Sequence, residues 1–119
     1  MHELSIADAI VATAVRHAAG RRVVRVEVKV GHLRQVVPGA LEFAFELVAH
    51  GTAVDGAELE IDEVAVRVHC RDCAAEGPAP EFPLACASCG SLDVEVVAGE
   101  ELYVDALEVE ETQEALARR

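Results

Sequence analysis

Residues 70–92 read CRDCAAEGPAPEFPLACASCGSL, in which two Cys-x-x-Cys pairs are separated by twelve residues. Each pair is expected to form a tight turn whose two sulfurs point the same way. Two such turns facing each other supply four thiolates at the corners of a tetrahedron. The donor set and its spacing predict a zinc site on Cys70, Cys73, Cys86 and Cys89. Four cysteine ligands leave no open coordination position, so the site is predicted to be structural and not catalytic.

Other chemistry for the four cysteines fits less well. Disulfides need an oxidising compartment, for which no sign is found. A thioredoxin-like redox pair explains one Cys-x-x-Cys motif and leaves the other without a role. Iron held by four thiolates, as in rubredoxin, stays chemically open because the same ligands suit both metals. The segment has few large apolar side chains, so metal binding worth roughly 10 kcal/mol is expected to take the place of a hydrophobic core.

The chain before this segment switches between helical and strand periodicity. Residues 4–19 repeat apolar residues at helical spacing, and Ser5 with Asp8 resembles a capping box at the start of a helix. Residues 22–30 alternate valine with charged residues, which is typical of a strand with one solvent-exposed face. A second helix is predicted to begin at Pro38, because proline is favoured at the first helical position.

Two further strands complete the predicted fold. One spans residues 57–68, and its apolar positions change phase near Asp62 and Glu63, so we expect a bulge or a change of packing partner there. The last strand covers residues 102–109. Three strands with two helices on one face give an α+β fold, a two-layer sandwich with an inserted four-cysteine zinc-ribbon-like domain. The predicted domains are residues 1–69 plus 93–112 for the α/β domain and residues 70–92 for the zinc-binding domain.

Composition and charge exclude several classes of partner. The chain of 119 residues is 52% hydrophobic and only 3% aromatic, which indicates a folded domain with an aliphatic core. Its formal net charge of −12 would repel a phosphate backbone, so no nucleic-acid partner is expected. No apolar run approaches the roughly 20 residues that span a bilayer, and the amino terminus lacks a secretory signal. We therefore expect no membrane partner and a cytoplasmic location.

The opening residues Met1-His2-Glu3 form a second candidate metal site. A histidine at position 2 can chelate an ion through its imidazole Nδ1, its own backbone amide nitrogen and the free α-amine. These fused rings lie in one plane, and Ni²⁺ favours planar nitrogen ligation. A histidine beside a chain terminus is more often simply solvated, so this pattern alone does not decide between the two interpretations.

Taken together, these features resemble the HypA family of hydrogenase nickel-incorporation proteins. The resemblance is carried by MHELS at residues 1–5, VGHL at residues 30–33 and the paired Cys-x-x-Cys turns. It extends to residues 43–47, 51–57 and 107–110, and it covers essentially the whole chain.

The resemblance implies a nickel metallochaperone that is not an enzyme. His2 would be the essential nickel ligand, with Met1 contributing its terminal nitrogen and Glu3 a backbone nitrogen. The four cysteines would hold structural Zn²⁺, and Ni²⁺ would be the transported ion. The implied partners are a HypB-type GTPase, the large subunit of [NiFe]-hydrogenase and, as a further client system, urease maturation proteins.

Two departures from the family pattern and two competing functions remain. Ala87 stands where the second Cys-x-x-Cys turn of this family often has proline, and the twelve-residue spacer lacks the additional histidine of some relatives. A zinc-ribbon module that recruits partners without transporting metal would explain the cysteines alone. A rubredoxin-like electron carrier would need iron in the same site. No Gly-rich phosphate loop is present, so any nucleotide hydrolysis is expected from a partner.

Overall fold

The computed structural model describes residues 2–110 of the chain. Within that part, the strands form two three-stranded sheets, in the orders β2-β1-β6 and β4-β3-β5. The predicted α+β class, with two helices and a three-stranded sheet beside a four-cysteine segment, is confirmed. Neither helix in residues 2–110 is both long and apolar enough to cross a membrane. The elements are α1 (His2–Ala18), β1 (Val23–Gly31), a 3-10 turn (His32–Arg34), α2 (Pro38–Ala49), β2 (Glu58–Val64), β3 (Arg67–Cys70), β4 (Glu76–Pro78), β5 (Val94–Ala98) and β6 (Leu102–Val109).

Helix α1 begins at His2, two residues earlier than its periodicity indicates. The expected capping box at Ser5 is wrong, because Ser5 lies inside the helix and its hydroxyl donates to the carbonyl of His2 at 3.0 Å. The helix buries residues at three- and four-residue spacing, as helical periodicity requires. These buried apolar residues are Ala7, Ile10, Val11, Ala14 and Ala18.

Strand β1 lies at the centre of its sheet, between β2 and β6. Its even-numbered valines from Val26 onward are buried, and the residues between them are half-buried. Among the half-buried residues, Arg25 donates to Glu60 of β2 at 2.9 Å, and Lys29 forms an ion pair with Asp62 of the same strand. Ion pairs at such exposed positions add little stability, so their main effect is to favour one register between the strands.

Helix α2 begins at Pro38, as predicted, because the first helical nitrogen needs no intrahelical partner. Leu41 and Phe45 are buried, as the periodicity indicates. Helical spacing from Leu41 and Phe45 also predicts that Val48 faces inward, but Val48 is only half-buried and Ala49 is buried instead. The two helices pack against each other. Their buried residues and the valines of β1 are almost entirely aliphatic, in agreement with the composition.

The chain from β2 to β3 changes packing partner, as the shift of apolar phase predicts. Strand β2 belongs to the sheet of β1, whereas β3 lies between β4 and β5 in the second sheet. The break falls at Ala65 and Val66, after the expected position at Asp62 and Glu63. The second sheet itself was not expected from the sequence. Strands β4 and β5 pair antiparallel with β3, and Val94 and Val96 of β5 pack against a small apolar cluster around Val68.

The chain separates into two compact units. The first unit comprises the chain up to Val28, Val36–Ile61 and the chain from Tyr103, and the second comprises Lys29–Gln35 and Asp62–Leu102. All four cysteines belong to the second unit. That unit contains residues 70–92 and also residues on both sides of them. The domain boundaries proposed from the sequence stay a prediction, and their last two residues, 111 and 112, lie outside the described part of the chain.

Gly31 ends β1 where another backbone segment of the second unit comes close. A Cβ atom at Gly31 would lie 2.0 Å from the carbonyl oxygen of Gly99 and 2.5 Å from the nitrogen of Glu100. The N–H of Gly31 donates to the carbonyl of Glu101 at 2.7 Å, and the N–H of Leu33 donates to that of Gly99 at 2.9 Å. Glycine is required here because the contacting atoms belong to backbone that cannot turn away.

We predict that Gly31→Ala lowers the free energy of unfolding by more than about 3 kcal/mol, since the added methyl group would collide with backbone atoms. Gly39→Ala is the matched control. A Cβ at Gly39 meets no atom within 4 Å, and alanine is favoured over glycine in a helix by about 0.5–1 kcal/mol. Urea denaturation followed by circular dichroism measures both effects. Equal stability of Gly31→Ala and the wild type would contradict the close backbone approach.

Candidate metal centre

The four cysteines of the second unit converge on one point. Their sulfur atoms all lie within 4.8 Å of one another, and residues 2–110 hold no other such cluster of potential ligands. The Sγ atoms of Cys70 and Cys89 are 3.7 Å apart, and those of Cys73 and Cys86 are 3.6 Å apart. Four sulfurs bound tetrahedrally to zinc at about 2.3 Å would be separated by about 3.8 Å. The predicted clustering is therefore confirmed, and the donor set fits a tetrahedral ion.

The two Cys-x-x-Cys turns share one pattern of backbone hydrogen bonds. In each turn, the backbone N–H of the first cysteine donates to the carbonyl of the residue five positions further along the chain. The N–H of the residue four positions after the first cysteine donates back to the carbonyl of that cysteine. The two distances are 2.8 and 3.0 Å in the turn that begins at Cys70, and both are 2.9 Å in the turn that begins at Cys86. We call residues 70–75 the first knuckle and residues 86–91 the second knuckle. Each knuckle fixes the positions of its own two sulfurs.

Backbone N–H groups approach the sulfur of the first cysteine in each knuckle. The nitrogen of Cys73 lies 3.4 Å from Cys70 Sγ, and the nitrogens of Ser88 and Cys89 lie 3.4 and 3.5 Å from Cys86 Sγ. These donors favour the thiolate form and partly offset its charge. Cys70 and Cys86 are buried, while Cys73 and Cys89 are exposed. One side of the cluster is thus shielded from solvent.

The thiols differ in their readiness to ionise. The N–H groups of Cys89 and Ser88 lower the pKa of Cys86 to about 6. The N–H of Ser91 lowers the pKa of Cys89, but the neighbouring thiols and burial outweigh it and raise that pKa to about 12. Four neighbouring thiolates also repel one another, because they carry like charges. Binding of a divalent metal ion offsets this repulsion and releases protons.

The fifth residue of each knuckle has a left-handed backbone. It is Ala74, with φ of 65°, in the first knuckle and Gly90, with φ of 78°, in the second. Glycine adopts this conformation without strain, whereas an L-residue is penalised by roughly 1–2 kcal/mol. In the sequence, Gly90 follows Cys89 directly, and a glycine there lets the turn close. The strained alanine at the equivalent place in the first knuckle carries no local sequence signal.

Sequence reasoning missed four polar residues that connect the two knuckles. Arg71 and Asp72 lie inside the first knuckle, while Ser91 ends the second and Asp93 follows it. The guanidinium of Arg71 donates to Asp93 at 3.0 Å, and the hydroxyl of Ser91 donates to the carboxylate of Asp72. No spacing rule predicts these contacts, because they depend on how two distant turns meet.

The amino-terminal candidate ligands lie in the first unit, at the start of α1. The side chain of His2 is 50% exposed, and its Nε2 lies 3.8 Å from Oε2 of Glu3. Glu3 is buried, and its carboxylate accepts a hydrogen bond from the N–H of Val37 at 3.1 Å. Hydrogen bonds from the amino terminus and from Val37 lower the pKa of Glu3 to about 2. Met1 lies outside the described residues, and the nickel ligand set of His2, Met1 and Glu3 stays a prediction.

Comparisons with known proteins identify a family of nickel-incorporation proteins. The family model described as hydrogenase/urease nickel incorporation, metallochaperone, hypA matches residues 1–109. The chain is 46% identical over 110 residues to the hydrogenase maturation factor HypA of Geobacter sulfurreducens, covering 92% of this chain and 100% of that protein. It is 44% identical over 110 residues to the hydrogenase maturation factor HypA of Geotalea uraniireducens, with the same coverage of 92% and 100%.

Solved structures show the same fold. A solution structure of a HypA protein matches with a TM-score of 0.69 at 25% identity. A solution structure of the Ni metallochaperone HypA from Helicobacter pylori matches with a TM-score of 0.66 at 26% identity. Each similarity covers 92% of this chain and 97% of the other.

Exchanging the left-handed residues of the knuckles should change stability in opposite directions. We predict that Ala74→Gly stabilises the second unit by about 0.5–1 kcal/mol, because it removes the strain of a left-handed alanine. Gly90→Ala should destabilise it by about 1–2 kcal/mol through backbone strain alone, since a Cβ there meets no atom within 4 Å. Thermal unfolding of the zinc-loaded protein measures both. Changes of the same sign would show that the two knuckles are not equivalent.

Loss of one metal ligand should unfold the second unit and leave the helices. We predict that Cys86→Ala abolishes tight zinc binding, because three thiolates leave the coordination sphere open. Metal analysis and far-UV circular dichroism should show loss of zinc with most of the helical signal retained. Ser88→Ala, between the two cysteines of the same knuckle, is the control and should keep its zinc. Complete loss of helical signal in Cys86→Ala would contradict the independence of the two units.

Proposed function

Because the chain belongs to the HypA family of hydrogenase and urease nickel-incorporation metallochaperones, we propose that it carries one Ni²⁺ at its amino terminus and delivers it during maturation of [NiFe]-hydrogenase. The family consists of maturation factors, and we propose no catalytic role for this chain. The observation that carries the proposal is that two chemically different sets of donors occupy different units. Four sulfurs cluster in the second unit, and nitrogen donors lie at the start of α1 in the first.

We propose that Cys70, Cys73, Cys86 and Cys89 hold structural Zn²⁺. The separations of 3.6 and 3.7 Å between sulfurs of different knuckles agree with the about 3.8 Å expected around tetrahedral zinc. Bound zinc would supply a cross-link between the two knuckles and no reactive position, since all four ligand sites are filled by cysteine. This residue set therefore suits an ion that stays with the protein. It does not suit one that is handed on.

The start of α1 supports nickel binding through backbone nitrogens. The amide nitrogens of His2 and Glu3 lie in the first turn of α1, where backbone N–H groups have no carbonyl four residues earlier in the helix to bond to. The partial positive charge at this end of the helix also favours a deprotonated, anionic amide nitrogen. With the terminal nitrogen of Met1 and the imidazole Nδ1 of His2, these nitrogens form the planar set that Ni²⁺ prefers.

The buried carboxylate of Glu3 supports this site in a second way. It is ionised at neutral pH, and it lies 3.8 Å from the imidazole of His2. A negative charge at this distance attracts a divalent cation to the chain terminus. Its hydrogen bond with the N–H of Val37 connects the first turn of α1 to the beginning of α2. The proposed nickel ligands are thereby placed on a helix that packs into the first unit.

Delivery requires that nickel leave more easily than zinc. An ion held by a few nitrogens at a chain end can exchange, whereas one enclosed by four thiolates exchanges slowly. We propose a HypB-type GTPase as the partner that drives transfer, because this sequence has no phosphate-binding loop of its own. The large subunit of [NiFe]-hydrogenase is the proposed recipient, and urease maturation proteins are a second client system. Reduced cysteines and these partners fit a cytoplasmic location.

Nickel titration into untagged, zinc-loaded protein tests the amino-terminal site. We predict one Ni²⁺ per chain in the wild type and none at this site in His2→Ala, because the planar chelate loses its imidazole. His17→Ala is the matched control, since His17 lies on the same helix and its ring contacts the carbonyl of Thr13 instead. Isothermal titration calorimetry gives the stoichiometry, and visible absorption reports the coordination geometry.

A second variant separates the terminal amine from the imidazole. Adding residues ahead of Met1 moves the amine away from His2 and should also remove the nickel site, while the zinc content stays the same. Normal nickel binding by both altered proteins would exclude the amino-terminal site. In that case a zinc-ribbon interaction module without transported metal becomes the better explanation of the fold.

A further inference from the structure

We propose that Arg71, Asp72, Ser91 and Asp93 make the cysteine site selective for zinc against the nickel that the protein carries. These four residues, which we call the clasp, fix the orientation of one knuckle relative to the other. The inference rests on the proposed function, because only a nickel carrier with a resident zinc ion must keep the two metals apart. None of the four residues supplies a sulfur ligand.

The first half of the clasp is the side chain of Arg71. Its Nη1 donates to Asp93 Oδ1 at 3.0 Å and to the carbonyl oxygen of Val94 at 3.2 Å. Its Nη2 lies 3.6 Å from Oε2 of Glu95. The backbone N–H of Arg71 donates in addition to the carbonyl of Asp93 at 3.0 Å. One residue of the first knuckle is thus bonded at several points to the strand that follows the second knuckle.

The second half of the clasp closes a ring of hydrogen bonds. The hydroxyl of Ser91 donates to the carboxylate of Asp72, which is the neighbour of Arg71. The N–H of Asp93 then donates to the hydroxyl oxygen of Ser91 at 3.0 Å. The connections therefore run from Asp72 to Ser91, from Ser91 to Asp93 and from Asp93 back to Arg71. A closed ring resists rotation of one knuckle against the other better than a single contact would.

Rotation between the knuckles decides the shape of the sulfur cluster. Each knuckle already fixes its own pair of sulfurs through its backbone hydrogen bonds. The remaining freedom is the angle between the two pairs, which turns a tetrahedral arrangement into a planar one. With bonds of about 2.3 Å, a square plane would place adjacent sulfurs about 3.3 Å apart and opposite sulfurs about 4.6 Å apart. Two of the four separations between the knuckles, 3.7 Å for Cys70–Cys89 and 3.6 Å for Cys73–Cys86, lie closer to the tetrahedral value than to either planar value.

The two metals respond differently to this angle. Zn²⁺ has a filled d shell and accepts a tetrahedral set of four thiolates readily. Ni²⁺ favours planar coordination, so a tetrahedral site that cannot rotate binds it less well than one that can. The identity of the sulfur ligands alone would not reject nickel. The geometric restraint imposed by the clasp supplies the missing discrimination.

The test is metal exchange in the full-length, zinc-loaded chain with His2→Ala in every variant. That background removes the proposed terminal nickel site, so any nickel bound reports on the cysteines. Exchange would admit one Ni²⁺ for each Zn²⁺ released, with all four thiolates retained and no electron transferred. Each protein is equilibrated with a mixture of NiCl₂ and ZnCl₂ and desalted, and its metal content is measured. Nickel–thiolate absorption confirms the ligand type.

In the Arg71→Ala/Ser91→Ala variant, we expect nickel to replace zinc at a Ni²⁺:Zn²⁺ ratio in the mixture about tenfold lower than in the parent protein. This change is equivalent to about 1.4 kcal/mol of binding free energy. Arg67→Ala is the matched control. Arg67 is an exposed arginine on β3 with no side-chain hydrogen bond or ion pair within residues 2–110. Arg67→Ala removes one positive charge, as the double variant does, and it should keep the same preference for zinc over nickel as the parent protein.

Two results with a folded double variant would overturn the clasp. One is an unchanged metal preference in the double variant, and another is an equal gain of nickel in Arg67→Ala, which would make charge the cause. If circular dichroism shows that the double variant is unfolded, Ser91→Ala alone decides the matter. That change keeps the backbone of the second knuckle and should still shift the preference toward nickel. A negative result for the clasp would not affect the proposed nickel site, because the titration of His2→Ala tests that site separately.

Discussion

Four thiolates within 4.8 Å of one another are the constraint on which the second unit depends. Like charges this close repel one another, and we propose that a cation among the sulfurs offsets this repulsion. Apolar packing cannot take over this role, because the buried cluster of the unit contains only Val66, Val68 and Ala79, with a few half-buried neighbours. The backbone donors aimed at Cys70 and Cys86 serve the same requirement. We propose that in this unit a bound metal ion takes the place of the apolar core of a larger domain.

The first unit is held together by aliphatic packing, and we propose that it folds without a metal ion. A donor set at the start of α1 can therefore gain or lose a metal ion without loss of the fold. We propose that this difference underlies the function: zinc is structural because a unit unfolds without it, and nickel is cargo because nothing unfolds when it leaves. The proposed clasp completes this separation by excluding the cargo from the structural site.

Local sequence patterns predicted most helices and strands correctly, but they predicted less well the residues at which these begin and end. The spacing of apolar residues gave α1 correctly, but the capping box at Ser5 was wrong because the helix extends to His2. The change of phase in residues 57–68 correctly indicated a new packing partner, although the break came later, at Ala65. Strands β4 and β5 were missed, since three to five residues beside a metal site carry too little periodicity to be recognised.

By itself, the sequence determined which four cysteines cluster as candidate metal ligands, and it determined the alternation of helix and strand. Both are local properties: a Cys-x-x-Cys turn sets two sulfurs together, and alternating valines define one face of a strand. Only the tertiary structure decided that Glu3 bonds to the N–H of Val37, 34 residues away, and that Arg71 meets Asp93, 22 residues away. Such contacts form because packing brings together residues that are far apart in the sequence. A pattern of neighbouring residues carries no information on which distant residues will meet.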